Sequence, residues 1–176
     1  MQFNQLYDTY KNLVFNLCLH YLQNRGDAED AAQEVFVKIH QKLSSYKADA
    51  QLKTWVYRIT VNHCLDCIKA KKRVKRFAFI TSLFYPNSSE LQHDRSDFNH
   101  PGILLEQKEA TTTLFKQINR LPEQQKTALI LTKIEGLSMK ETAEIMDKTP
   151  KSVESLLQRA KKSLKKALEQ ARDDLA

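Results

Sequence analysis

Only three glycines and four prolines occur in 176 residues. A chain so poor in turn formers cannot supply the many tight corners of a sandwich or barrel, and no strand-like alternation runs for long. The fold expected is all-α. A glycine-rich phosphate-binding loop is missing too, as are paired acid/base carboxylates and a nucleophile triad, so the sequence offers no basis for an enzyme or a cofactor. Three cysteines are an odd number and too few for a disulfide framework. No apolar run approaches a membrane span, and MQFNQLYDTYKN lacks the charged-then-apolar layout of a signal peptide. The expectation from these two absences is a soluble, cytoplasmic protein.

What the chain has is charge, unevenly placed. Residues 51–77 carry eight basic residues and one acidic, and residues 148–176 carry eight and four. Between them, residues 78–110 carry two basic and five acidic residues, and residues 111–147 carry five of each. Two basic blocks around a neutral or acidic middle suit two contacts with one long polyanion.

The second block contains the clearest local pattern. Ser138 and Glu141 have capping-box spacing and start a short helix that should end near Met146. Asp147, Lys148 and Thr149 form the turn, where Asp tolerates a left-handed backbone, and Thr149 caps a second helix beginning at Pro150. Ala143 is small where the helices must cross, and Val153 can plug the angle between them. This is a helix-turn-helix, a unit that either reads the DNA major groove or serves simply as a packing element. Val153, Leu156, Leu157, Ala160, Leu164 and Leu168 form an apolar stripe at helical spacing. Opposite lie Lys151, Ser155, Gln158 and Lys162, flanked by Ser152, Glu154, Arg159 and Lys166, polar groups suited to phosphates and base edges.

From the N-terminus, Phe3 to about Gln23 reads as an amphipathic helix. Asn24 to Gly26 break it, and Asp27 is expected to cap DAEDAAQEVFVKIHQKL. The exposed acids of that second helix, taken alone, suit a solvated face and the helix dipole. A loop around Tyr46 leads to a long helix from Gln51 to about Phe77. On it Arg58, Asn62, Lys69, Arg73 and Arg76 form a polar ridge between two apolar faces, with Trp55 at its edge. Cations beside aromatics suit a nucleic-acid backbone with unstacked bases. Cys64 and Cys67 beside His63 raise a thiol or metal site as an alternative, but a second ligand pair is lacking and helix packing explains them better. Residues 78–102 read as a linker. Helices resume at Ile103 and again after Pro122, the latter ending at Gly136 as a C-cap.

The run DAEDAAQEVFVKIHQKL followed by LKTWVYRITVN resembles region 2 of bacterial sigma factors. LPEQQKTALILTKIEGLSMKETAEIMDKTPKSVESLLQRAKKSLKKAL resembles their region 4. With only these two blocks and a short linker, the chain resembles an extracytoplasmic-function (ECF, group IV) sigma factor. The resemblance implies two small helical domains, residues 1–77 and 103–176, joined by the 78–102 linker. It implies binding to core RNA polymerase and to −10 and −35 promoter elements.

Asp30, Gln33 and Glu34 would then meet the β′ clamp coiled coil, which displaces the bland reading of that helix. Tyr46, Lys53, Arg58, Asn62, Lys69 and Arg73 would hold the melted −10 element, with Trp55 a packing residue. Lys151, Ser152, Glu154, Ser155, Gln158 and Arg159 would face the −35 major groove, with this half seated on the β flap. An anti-sigma factor is a partner of the kind many members have. Glu154 departs from the basic residue common in relatives, so the promoter sequence does not carry over. The rival from residues 121–170 alone is a helix-turn-helix regulator that acts without polymerase.

Overall fold

The computed structural model describes residues 2–46, 51–84 and 105–173, with the side chains of 77–84, 105–110 and 171–173 left aside. Among the described residues all regular structure is helical: α1 (Phe3–Leu22), α2 (Arg25–Leu43), α3 (Leu52–Phe84), α4 (Leu105–Arg120), α5 (Glu123–Leu129), α6 (Met139–Met146) and α7 (Pro150–Asp173).

The first half is built on α1. Leu6, Val14, Leu17, Cys18 and Tyr21 repeat at helical spacing and are buried. Gln23 ends the helix in the left-handed conformation (φ 56°), its N–H bonded to Leu19 O at 2.9 Å. The chain reverses there, and Phe3 and Tyr7 meet Phe36 near the far end of α2, so the two helices run antiparallel. The start of α2 differs from the sequence expectation. Asn24, not Asp27, is the cap: it has extended backbone, and its side chain accepts from Asp27 N–H at 3.0 Å. Gly26 thus lies inside the first turn rather than breaking the chain, and Asp27 contributes charge near the positive end of the helix dipole. α3 buries Val56, Tyr57, Thr60, Val61 and Cys64, packs on both α1 and α2, and reaches Phe84, seven residues past the expected end.

In the second half, α5 continues into a π-helical turn over Ile130–Ile134. Glu135 N–H bonds Ile130 O at 2.9 Å, and Leu137 N–H bonds Leu131 O at 3.0 Å across Gly136 (φ 69°), the left-handed residue that closes the helix. Ser138 and Glu141 form the reciprocal capping box at the start of α6. Asp147 is left-handed (φ 53°), and Thr149 Oγ1 accepts Ser152 N–H at 3.2 Å. Ala128, Ala143 and Val153 pack together at the α5–α6–α7 crossing. The local prediction for this block holds residue by residue.

The halves are not separate. Phe115, Ile118, Leu129 to Leu131, Leu137 and Ile145 of the second half belong to the same buried cluster as Leu17, Val35, Val56 and Val61 of the first. Helix α6 lies directly against α3.

Candidate nucleic-acid interfaces

Helix α7 carries the simpler of two surfaces. Val153, Leu157, Ala160 and Leu164 turn inward and are buried. Lys151, Glu154, Ser155, Gln158 and Arg159 are exposed on the opposite side, and Ser152 is half-buried beside the cap. Ser155 spends its hydroxyl on Lys151 O at 3.1 Å. The candidates for duplex contact therefore share one accessible face, fixed by caps at both ends of the turn.

The α3 ridge is a different object. Arg58 is half-buried, and one of its NH groups donates to Glu144 O, near the end of α6, at 2.7 Å. Its Nε is buried without a hydrogen-bond partner. Asn62 is exposed between two cavities, one of about 440 Å³ shared with Glu123, Gln124, Met146 and Lys148. The other, about 500 Å³, is walled by Lys38, Lys42, Trp55, His63 and Asp66. Lys69 pairs with Glu123 of α5 at 3.3 Å, while Arg73 lies exposed beyond the covered stretch. Toward the N-terminal end of α3, Lys53 Nζ stands 5.9 Å over the Tyr57 ring. The rings of Tyr46 and Trp55 are 5.0 Å apart and tilted, so Trp55 does pack against its own region. The ridge thus runs along one helix as expected, but its middle faces the second half of the same chain.

Asp30, Gln33 and Glu34 are exposed on α2. Gln33 borders a groove of about 680 Å³ between α1 and α2, lined by Phe3, Tyr7, Phe15, Phe36 and Val37. Glu34 approaches His63 Nε2 at 3.4 Å, and Lys38 donates to His63 Nδ1 at 2.7 Å. Burial, and then the Lys38 ammonium, push the His63 pKa down, which favours the neutral ring accepting from Lys38.

The cysteines are spread over two contacts. Cys64 Sγ donates to Cys18 Sγ at 3.6 Å inside the core, and Cys67 Sγ lies 3.6 Å from His63 Nε2. The bond to Cys18 and then burial push the Cys64 thiol up, and burial pushes up Cys67, the reverse of an activated thiol. Among the described residues no group of three or more His, Cys, Asp or Glu side chains is placed to hold a metal.

Residues absent from the sequence-based candidates form the seam between the halves. Glu135 Oε1 accepts from His20 Nδ1 at 2.8 Å, and its Oε2 accepts from the Tyr57 hydroxyl at 3.0 Å. Lys126, only 4% exposed, donates to Tyr21 O at 2.9 Å and to Asn119 Oδ1. Its burial without a carboxylate pushes its pKa down to about 8. Gln23 Nε2 donates to Phe115 O at 2.9 Å. The one available hint was polar residues falling on the buried sides of amphipathic helices, at His20 and Lys126.

A capped helix-turn-helix with an accessible polar face, joined to a helical bundle that bears a cationic ridge, defines a promoter-reading transcription factor of the sigma class. The sigma-70 region 2 model matches residues 6–74, and the sigma-70 region 4 model matches residues 113–164. The ECF RNA polymerase sigma-E factor of Haemophilus influenzae is 32% identical over 167 residues, covering 95% of this chain and 87% of the relative. That of Escherichia coli K12 is 31% identical over 162 residues, covering 92% and 84%. The chain belongs to the ECF RNA polymerase sigma factors, proteins of transcription initiation that work with core polymerase at promoter DNA. Neither the polymerase-independent regulator nor the thiol-site reading is favoured. In overall fold the chain is similar to the sigma factor RpoE solved with the anti-sigma factor NepR from Bartonella quintana. That match has a TM-score of 0.66 and 21% identity over 95% of this chain and 96% of the other. It is also similar to CnrH solved with the cytosolic domain of CnrY, with a TM-score of 0.65 and 18% identity over 96% and 88%.

Proposed function

We propose that the two basic surfaces divide promoter recognition between them. Lys151, Ser152, Glu154, Ser155, Gln158 and Arg159 hold the −35 duplex. Tyr46, Lys53, Arg58, Asn62, Lys69 and Arg73 hold the opened −10 strand. The observation that carries the division is their difference in build: an exposed polar helix face fits the regular major groove, whereas a ridge beside Trp55, flanked by cavities of about 440 and 500 Å³ that are each roomy enough for an unstacked base, fits an opened strand. Asp30, Gln33 and Glu34, exposed beside the α1–α2 groove, bind the β′ clamp coiled coil, and the second half seats on the β flap. The functional units are residues 1–77 and 103–176 with 78–102, whose first seven residues continue α3, as linker, acting in the cytoplasm without catalytic chemistry of their own. An anti-sigma factor is a partner of the kind seen with the solved relatives.

The test is reconstitution with core polymerase and mapping of transcription starts. Arg58→Ala with Asn62→Ala should abolish opening at promoters to which the holoenzyme still binds through the −35 duplex. Tight duplex binding by the chain alone, with no transcription from core enzyme at any mapped site, defeats this reading.

A further inference from the structure

Position 63 is an unexpected place for an imidazole. It shares a side of α3 with the buried Val56 and Thr60, and His63 is itself only 4% exposed. An aliphatic side chain would fill that place without burying ring nitrogens. What the imidazole adds is an acceptor. Lys38 Nζ, reaching across from α2, donates to His63 Nδ1 at 2.7 Å. With Nδ1 accepting, the neutral ring carries its proton on Nε2, which faces Glu34 Oε2 at 3.4 Å and Cys67 Sγ at 3.6 Å. A charged ring would set an N–H against an ammonium. Burial, and then the Lys38 charge, hold the ring neutral.

The same lysine borders the space beside the ridge. It walls the cavity of about 500 Å³ that also takes in Lys42, Trp55, Arg58, Asn62 and Asp66. Two helices therefore face one space, with Arg58 and Asn62 from α3 and Lys38 and Lys42 from α2. Three cations meet one carboxylate there, Asp66, so the cavity attracts an anionic occupant. A surface lysine ordinarily samples many rotamers and must be ordered before it can hold a phosphate. Lys38 is half-buried and tied to a buried ring, so it is ordered in advance. Two of its three ammonium protons remain for an incoming oxygen.

We infer that Lys38 is a further contact for the opened strand, supplied from α2, and that His63 is the positioning residue that holds its ammonium at the cavity. The strand then lies between two helices instead of along one, with phosphate held from the α2 side and a base met at Asn62. This contact rests on the proposed assignment of Arg58 and Asn62 to opened DNA, whereas the Lys38–His63 pair stands without it.

The test uses holoenzyme reconstituted from core polymerase and the full chain, at a promoter found by start-site mapping. Opening is read from the permanganate reactivity of unpaired thymines. Lys38→Met should slow opening roughly tenfold, the scale of one charge-assisted hydrogen bond, and lower its salt slope by about 0.7. His63→Met keeps the bulk but offers no comparable acceptor. It should slow opening about threefold, the scale of ordering one long side chain, and leave the slope in place. His63→Gln, whose amide oxygen can accept in place of Nδ1, should restore most of the rate. Because the ring acts through the ammonium, Lys38→Met with His63→Met should be no slower than Lys38→Met alone.

Unchanged opening in Lys38→Met, beside a loss in Arg58→Ala with Asn62→Ala, overturns the α2 contact and leaves the ridge assignment standing. Full opening in both sets of variants overturns the two together. Additive losses in the double variant, or a loss confined to core affinity and shared with Glu34→Gln, overturn the positioning role of His63. If His63→Met loses helicity by circular dichroism, the nitrogen NMR shifts of the His63 ring decide in its place. An Nε2–H tautomer in the parent that is lost in Lys38→Met supports the pair, and a ring indifferent to Lys38→Met overturns it.

Discussion

The α7 face and the α3 ridge carry similar residue types and behave differently. On α7 the polar residues face solvent and the apolar stripe alone is committed to packing. On α3 Arg58 is itself part of the packing, donating to Glu144 O of α6, and Lys69 meets Glu123 of α5 in an exposed pair. A surface specified by local periodicity remains available, whereas one in the crease between halves depends on their arrangement.

The comparison breaks most severely if the helix crossing is overfilled. Ala143 is 3% exposed and touches Ala128 and Val153, both 0% exposed. Ala143→Leu should cost about 3 kcal/mol in chemical denaturation and remove −35 duplex binding, because the extra methylenes must push α7 off its seat. Retained duplex affinity would mean that the turn does not position α7. Smaller, and confined to the other surface, is the joint change Lys69→Ala with Arg73→Ala. On the proposed assignment this removes two phosphate contacts in the holoenzyme and should lower the salt slope of opened-complex formation by about 1.4, with similar losses at every promoter. The Lys69–Glu123 pair it breaks is exposed and adds little.

Smaller again is the effect of pH on the seam. The Lys126 pKa of about 8 lies below its ordinary value of 10.5, so the closed fold binds fewer protons than the unfolded chain between those values. Lys126 should therefore contribute a rise of roughly 1 kcal/mol in stability against denaturant from pH 8 to 9, a contribution that fades to flat below about pH 7. The raised Cys64 and Cys67 thiols offset part of this rise, because an unfolded thiol already begins to lose its proton near pH 8, and above pH 9 the raised Tyr57 and Tyr21 protons add to that pull. Tyr21, Cys64, Lys72 and Asn119 are the groups that face Lys126. Lys126→Met should erase the rise between pH 8 and 9, and a rise that survives it would assign the effect elsewhere. Least of all, Glu154→Gln should change promoter preference by a few tenths of a kcal/mol to about 1 kcal/mol at one −35 position, read from start-site maps. A uniform gain across promoters would make Glu154 a phosphate-repelling residue rather than a base reader.

Much of the second surface was legible in sequence because its instructions are local. Ser138 with Glu141, Asp147, Thr149 with Pro150, and the α7 stripe each act within a few residues, and each behaves as its spacing foretold. The ridge was legible as a line of charge on one helix, but its covering was not. Arg58 meets Glu144 across 86 residues, and no periodicity encodes that meeting. Local reading failed even nearby at Asn24, where two cap-competent residues compete and the helix begins at the earlier one. The π-helical turn was invisible because Ile130 to Ile134 read equally well as ordinary helix.

Gln23 carries a consequence for how the chain is made. Its left-handed backbone costs on the order of 1 kcal/mol, and its compensating side-chain bond goes to Phe115, 92 residues later. The adjacent Tyr21 carbonyl is likewise met by Lys126, 105 residues on. While the first half leaves the ribosome, the corner between α1 and α2 therefore stands without either partner. Both of these bonds depend on the second half, so the corner is complete only in the whole chain. A glycine at position 23 would relieve that dependence and let the first half mature alone.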